Sequence, residues 1–230
     1  MARFWEIDFF RGIAVIMMII FHSLFYINYF DFAKLELYSG FIGRFQMIIP
    51  LIFLTVSGIS SKLQARFVNK KAVFLRGLKV LGLGLIITLI TWLIFPKDFV
   101  FFGILHCIGT CILLSYFIKN EKIALILGLI VLFISSSVNS YNTNYKYVSI
   151  VGLRYAQLNT FDYYPLIPWL GVFLIGYYLG SKFIINKKSK INNNKLINAV
   201  CFFGKNSLKI YFIHIIFLFS FFWILKNILI

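Results

Sequence analysis

Acidic side chains are scarce in this chain: 7 Asp and Glu among 230 residues, against 23 Lys and Arg, for a formal charge of +16. Charged residues of both signs make up only 13%, where a soluble domain carries about a quarter. With 61% of its residues hydrophobic, the chain lacks the polar surface needed to cover a globule in water. Cysteine is rare as well, and three of them cannot form the disulfide framework of a small secreted scaffold. Disorder is excluded by what is plentiful: aromatic residues reach 20%, and disordered chains are poor in aromatic and branched side chains. The composition leaves an all-α, polytopic membrane helix bundle, whose chemistry must reside in its few intramembrane polar residues.

A helix needs about 20 mostly apolar residues to cross a bilayer. Seven stretches qualify: Phe9–Phe30, Phe41–Ser60, Ala72–Phe95, Val100–Ile118, Lys122–Val138, Pro165–Ile185 and Ser207–Leu229. The first is expected to stay in the membrane rather than be cleaved, because Asp8 and Arg11 stand at its start and no small-residue cleavage site follows. Lys and Arg orient the array. With the N-terminus cytoplasmic, 17 of the 23 fall on the inner side and 6 on the outer, and the C-terminus lies outside. The expectation is one integral membrane domain over residues 1–230. Asn186–Lys195 reads as a solvated basic inner loop; it gives no reason to expect a nucleic-acid partner. The outer segment Asn139–Tyr164 interleaves Tyr141, Tyr145, Tyr147, Tyr155, Tyr163 and Tyr164 with amides, a composition that suits sugar binding or an interfacial aromatic belt.

Ionisable residues at bilayer depth are costly and mark function. In the first span Asp8, Arg11, Val15, Met18 and His22 recur at three- or four-residue steps. Eleven residues make about three turns, so Arg11 and His22 share a face roughly 16 Å apart. Arg11 is expected near the inner surface and His22 in the outer half. His22, bracketed by Ile20, Phe21, Leu24 and Phe25, is a neutral imidazole available as a base. His106 enters the fourth span from outside, Asp162 precedes the sixth, Trp169 lies just within it, and Arg44 enters the second. The topology is compatible with an outer-half cluster of His22, Arg44, His106 and Asp162. Ser207, Tyr211 and His214 share a face in the inner half of the last span. Structural alternatives stand beside each: His106 and His214 could bridge helices, and Arg11 could snorkel and pair with Asp8.

Other patterns carry less. Cys107 and Cys111 lie one turn apart beside His106, but Cys201 is the only further cysteine, so no metal is expected. Gly82 and Gly84 lack the pattern of a phosphate-binding loop. Gly176 and Gly180 form a GxxxG pair that predicts close helix packing.

Five segments carry a family resemblance: Ile7–His22 (IDFFRGIAVIMMIIFH), Pro50–Ser60 (PLIFLTVSGIS), Phe102–Tyr116 (FGILHCIGTCILLSY), Asp162–Gly180 (DYYPLIPWLGVFLIGYYLG) and Phe203–Phe217 (FGKNSLKIYFIHIIF). In order and spacing they resemble the prokaryotic branch of the heparan-α-glucosaminide N-acetyltransferase catalytic-domain family, over nearly the whole chain. Arg11 and His22, with ten residues between them, are similar to the Arg and His motif of the acyltransferase-3 membrane O-acyltransferases. The animal branch has Asn at the position of His22, so its catalytic assignment is not carried over.

The resemblance implies acetyl-CoA as a cytoplasmic co-substrate and a carbohydrate or glycolipid acceptor acetylated at the outer face of the cell membrane. On that basis the expected catalytic residues are His22, as general base or transient acetyl carrier, with His106 and Asp162. Arg11, Lys205, Lys209, Ser207, Tyr211 and His214 are expected to bind CoA, and Arg44, Trp169 and Tyr163 the acceptor. A homo-oligomer is compatible with the sequence. Two other classes remain open: a transporter, for which repeated halves with broken helices are not evident, and a haem protein, with His22 and His106 as the candidate axial pair.

Overall fold

The computed structural model describes residues 4–182 and 194–229. Among these the chain forms eight α-helices: α1 (Trp5–Tyr29), α2 (Gly40–Phe67), α3 (Lys70–Ile94), α4 (Ile104–Ser115), α5 (Glu121–Ser140), α6 (Leu166–Lys182), α7 (Lys195–Lys205) and α8 (Ser207–Leu229). A short 3₁₀ turn covers Lys146–Ile150. Five helices, α1, α2, α3, α5 and α8, are long and apolar enough to cross a membrane.

Asparagine sets three of the starts. Asn69, Asn120 and Asn194 accept the backbone N–H groups of Ala72, Lys122 and Leu196 at 2.7, 2.8 and 2.9 Å, satisfying donors that the first turn leaves orphaned.

The expected fourth span, Val100–Ile118, is helical over only twelve residues, Ile104–Ser115, about 18 Å of rise. The residues before it are held in other bonds. The Val100 N–H donates to Thr91 Oγ1 at 3.0 Å and the Phe101 N–H to Thr160 Oγ1 at 3.2 Å. The sixth span, expected over Pro165–Ile185, is helical from Leu166 to Lys182, where the described residues stop; its backbone leaves helical geometry at Ile167, before the cis Ile167–Pro168 bond. The expected Asn186–Lys195 loop lies, apart from Asn194 and Lys195, outside the described residues. Helix α7 was not expected from the apolar runs.

The chain divides into two compact units, Met1–Phe53 with Ile185–Ile230, and Leu54–Ile184. In the first, α7 lies antiparallel on the start of α1. Its approach is close because glycines meet backbone: a Cβ at Gly12 would strike the Val200 carbonyl oxygen, and one at Gly204 the Asp8 carbonyl oxygen. Helix α8 then runs parallel to the rest of α1, with Leu218 and Phe222 packed on Tyr26 and Phe30. Val15, Met18 and Phe21 form a second core there with Leu37 and Ile49.

In the second unit each helix reverses its predecessor. Arg76 of α3 donates to Ser61 Oγ of α2 at 2.7 Å; Gly84 and Gly77 of α3 face His106 and Leu113 of α4; Gly171 of α6 meets Gly128 of α5. The expected GxxxG packing is present. Gly176 and Gly180 lie directly on the backbone of α2 at Thr55 and Ile59, and Gly58 returns the contact toward Tyr177. The free cysteines Cys107, Cys111 and Cys201 are all buried.

Candidate active site

In the first unit, α1 and α8 bring two histidines together. His214 Nε2 lies 3.1 Å from His22 Nδ1, with ring centroids 4.9 Å apart. His22 Nδ1 is also 3.0 Å from the Met18 carbonyl oxygen, and His214 Nδ1 is 3.0 Å from that of Ile210. A carbonyl oxygen only accepts, so Nδ1 carries the hydrogen in both rings and Nε2 the lone pair. His22 thus shares its Nδ1–H between Met18 O and His214 Nε2. Its own Nε2 has no partner among the described residues.

The pairing corrects the depths expected from the sequence, which put His22 in the outer half and His214 in the inner. Position along each apolar run would keep the two rings apart. But α7 covers the first turns of α1, so α8 begins beside a later part of that helix, and seven residues into α8 reach the level of seventeen into α1. Tyr211 stands edge-on to His214, with centroids 5.7 Å apart, and Phe21 edge-on to His22 at 5.9 Å. On the same face of α1 toward its start, Arg11 Nη1 lies 3.3 Å from Asp8 Oδ1. Lys205 and Lys209 are exposed around the α7–α8 junction, where Ser207 is half-buried. Arg44, near the start of α2, is exposed, and its Nε donates to the Gly40 carbonyl at 3.3 Å.

The other expected site residues, His106, Asp162, Tyr163 and Trp169, lie in the second unit. His106 is 3% exposed. Its Nδ1 accepts the Gly103 N–H at 3.2 Å, so the hydrogen is on Nε2, which reaches Thr88 Oγ1 at 3.1 Å. Thr88 passes its own hydrogen to the Val100 carbonyl at 2.7 Å. Neither ring nitrogen is open, and the Thr88 contact ties α4 to α3.

Asp162 Oδ2 accepts the Ile104 N–H at 2.9 Å and caps α4 from 58 residues away along the chain. Burial pushes its carboxyl up to about 6, against the opposing pull of that N–H. Tyr163 donates its hydroxyl to the Ser149 carbonyl at 2.6 Å, and Trp169 is buried against Tyr164. Tyr141, Tyr145 and Tyr147 of the outer segment are 67–77% exposed. Among the described residues no three His, Cys, Asp or Glu side chains gather in a way that could hold a metal ion.

The signal missed in the sequence was α7. Leu196, Ile197, Val200, Cys201 and Gly204 recur at helical spacing, and a helix there would have shifted the depth of everything in α8.

Neither the curated proteins nor the solved structures yield a match to this chain. The family model described as heparan-alpha-glucosaminide N-acetyltransferase, catalytic, matches residues 3–216. That span contains α1 entire, the basic junction of α7 with α8, and both paired histidines. The chain belongs to this family of membrane acetyltransferases.

Proposed function

We propose that the chain moves an acetyl group from acetyl-CoA, supplied on the inner side, to an amine or hydroxyl of a carbohydrate or glycolipid acceptor at the outer face. The observation that carries this reading is the open Nε2 of His22, on the opening helix of the family match. A base must offer an unprotonated nitrogen within hydrogen-bond reach of the acceptor's proton, and Nε2 has that form. His22 takes the proton from the acceptor O–H or N–H as the heteroatom bonds to the thioester carbonyl carbon. The C–S bond then breaks, and the thiolate leaves with the proton from His22, giving CoA and the acetylated acceptor.

The Arg11–His22 face supplies the track. Arg11, Lys205 and Lys209 meet the phosphates of CoA, and the pantetheine arm passes Ser207 and Tyr211 toward His22. Arg44 is kept for the acceptor. His106, Asp162, Tyr163 and Trp169 are reassigned to support of the second unit. The membrane is crossed seven times, with the N-terminus inside and the C-terminus outside. The strict reversal of direction from α2 to α6 supports counting α4 and α6 as crossings, and the 17-to-6 distribution of Lys and Arg supports the orientation.

The test is transfer of radiolabelled acetyl from acetyl-CoA to glucosamine by the purified protein, with release of CoA thiol. Base catalysis contributes about 10²–10⁴-fold, so His22→Ala is expected to lose at least the lower figure while melting like the parent. Undiminished transfer by that variant sinks the assignment.

A further inference from the structure

We propose that His214 is a positioning residue behind His22, the second ring of a histidine relay that holds the charge His22 acquires on accepting the acceptor's proton. The proposal rests on His22 being the base, and it replaces the CoA-binding role expected of His214 from its place on α8.

The relay has a direction. From the Ile210 carbonyl it runs through the Nδ1–H of His214 to its Nε2 lone pair, then to the Nδ1–H of His22 and on to the open Nε2 of His22. Only His22 has a nitrogen left for a substrate. His214, 5% exposed, is held at Nδ1 by its own helix and on one edge by Tyr211. When His22 Nε2 takes a proton the ring becomes an imidazolium, and its Nδ1–H contact with His214 becomes a charge-assisted bond, roughly twice as strong as a neutral one. Across 3.1 Å that hydrogen can sit nearer either nitrogen, so the charge spreads over two rings while the acceptor is being acylated. It returns through His22 Nε2 to the departing thiolate, and His214 ends each cycle as it began.

A carboxylate performs this service in many acyl-transfer sites. Here, among the described residues, no carboxylate bonds either ring. The titratable neighbours are Tyr211 on α8, Tyr26 one turn further along α1, and Tyr38, which packs on Phe21. The charged groups of the same helices, Glu6, Asp8 and Arg11 on α1 and Lys209 and Lys226 on α8, lie one or more turns away, and Lys205 ends α7. From α2 the apolar Ile42, Phe45, Ile49 and Phe53 pack on this core, and Arg44, the charged group of that stretch, is exposed.

Two amide substitutions separate the relay from mere occupancy. In His214→Gln the side-chain oxygen can stand where Nε2 stood and accept from His22. In His214→Asn the shorter amide reaches only the Nδ1 position, keeping Ile210 as a partner and abandoning His22. The expected result with glucosamine as acceptor is a kcat about 10–100-fold lower in His214→Asn, the loss of one hydrogen bond to a charged group. KM for acetyl-CoA should not change, and His214→Gln should recover most of the rate. A rise in that KM with kcat intact restores the CoA-binding role and overturns the relay.

A readout independent of turnover is ¹⁵N-histidine NMR of the purified protein during acidification. Both rings are expected to respond together at each macroscopic step of the pair, and two rings that each follow a separate step of their own overturn the proposal. His22→Ala distinguishes the two failures. If it still transfers acetyl, the base assignment falls; if it is inactive while His214→Asn retains full kcat, only the relay falls.

Discussion

Replacing one glycine by alanine should move the stability of this protein in opposite directions at two positions. Gly176 of α6 lies on the backbone of α2. A Cβ built there would meet the Thr55 carbonyl oxygen and would stand 2.8 Å from Thr55 Cα and 2.9 Å from its carbonyl carbon. Carbon atoms rest about 3.5–4.0 Å apart, so the two helices must separate by about 0.7–1.2 Å at the crossing. A gap of that size forfeits roughly a quarter to a half of the dispersion energy of the facing atoms, and overpacking of this kind costs about 1–3 kcal/mol. For a chain of this length each kcal/mol lowers the melting temperature by about 2–4 °C, so a cost near ~2 kcal/mol gives a drop of about 4–8 °C. Gly82 of α3 has nothing within 4 Å of the same added atom. There alanine removes backbone freedom from the unfolded chain and stabilises the helix by up to about 1 kcal/mol, a rise of about 2–4 °C. Melting of both variants in one detergent, followed by tryptophan fluorescence, reads the difference; Trp169 lies buried in α6. A Gly176→Ala protein that melts at or above the parent refutes the close crossing, and equal losses in both variants refute the argument from contact.

Two further outcomes test the second unit. Asp162 has its carboxyl raised from 3.8 to about 6 by burial, so the folded state holds a proton that the unfolded chain releases. Its stabilising share is complete below pH 4 and lost as pH rises through about 6. Asp162→Asn, which keeps an oxygen for the Ile104 N–H, should therefore gain on the parent between pH 4 and pH 7.5 in thermal melts; a constant difference contradicts the shifted carboxyl. His106→Ala should cost about 2–4 kcal/mol by stranding the Gly103 N–H and the Thr88 hydroxyl and leaving a cavity, while the fraction that stays folded transfers acetyl at the parental kcat. Loss of kcat without loss of stability would return His106 to the catalytic set.

Hydropathy made the long helices legible because a membrane helix must satisfy its backbone internally and coat itself with apolar side chains. Ser207–Leu229 was read to the residue, and α1, α3 and α5 within a few residues; α2 runs on to Phe67 because Lys62, Gln64 and Arg66 are helix formers that hydropathy counts against a span. The short helices were legible only as apolar runs. What shortens α4 is a set of bonds from Thr91, Thr160 and Asp162, and no local pattern announces partners 58 or 59 residues away. The candidate site divides the same way. His22 stood out as an ionisable group in an apolar stripe, and Asp162 and His106 stood out for the same reason; His106 has both ring nitrogens engaged, whereas Asp162 gives one oxygen, Oδ2, to the start of α4. A sequence reports that a polar group is buried; the bonds around it report whether any valence is left for a substrate.

The burial of all three cysteines has a practical side. A bulky, membrane-impermeant thiol reagent should find no native target in the folded protein, so the wild-type chain already serves as a silent background for labelling. A cysteine introduced at Lys119, in the turn between α4 and α5, or at Lys146, beyond α5, would report which side of the bilayer it occupies without any native residue first being removed. The same silence lets a thiol dye read released CoA continuously, since each new sulfhydryl comes from turnover.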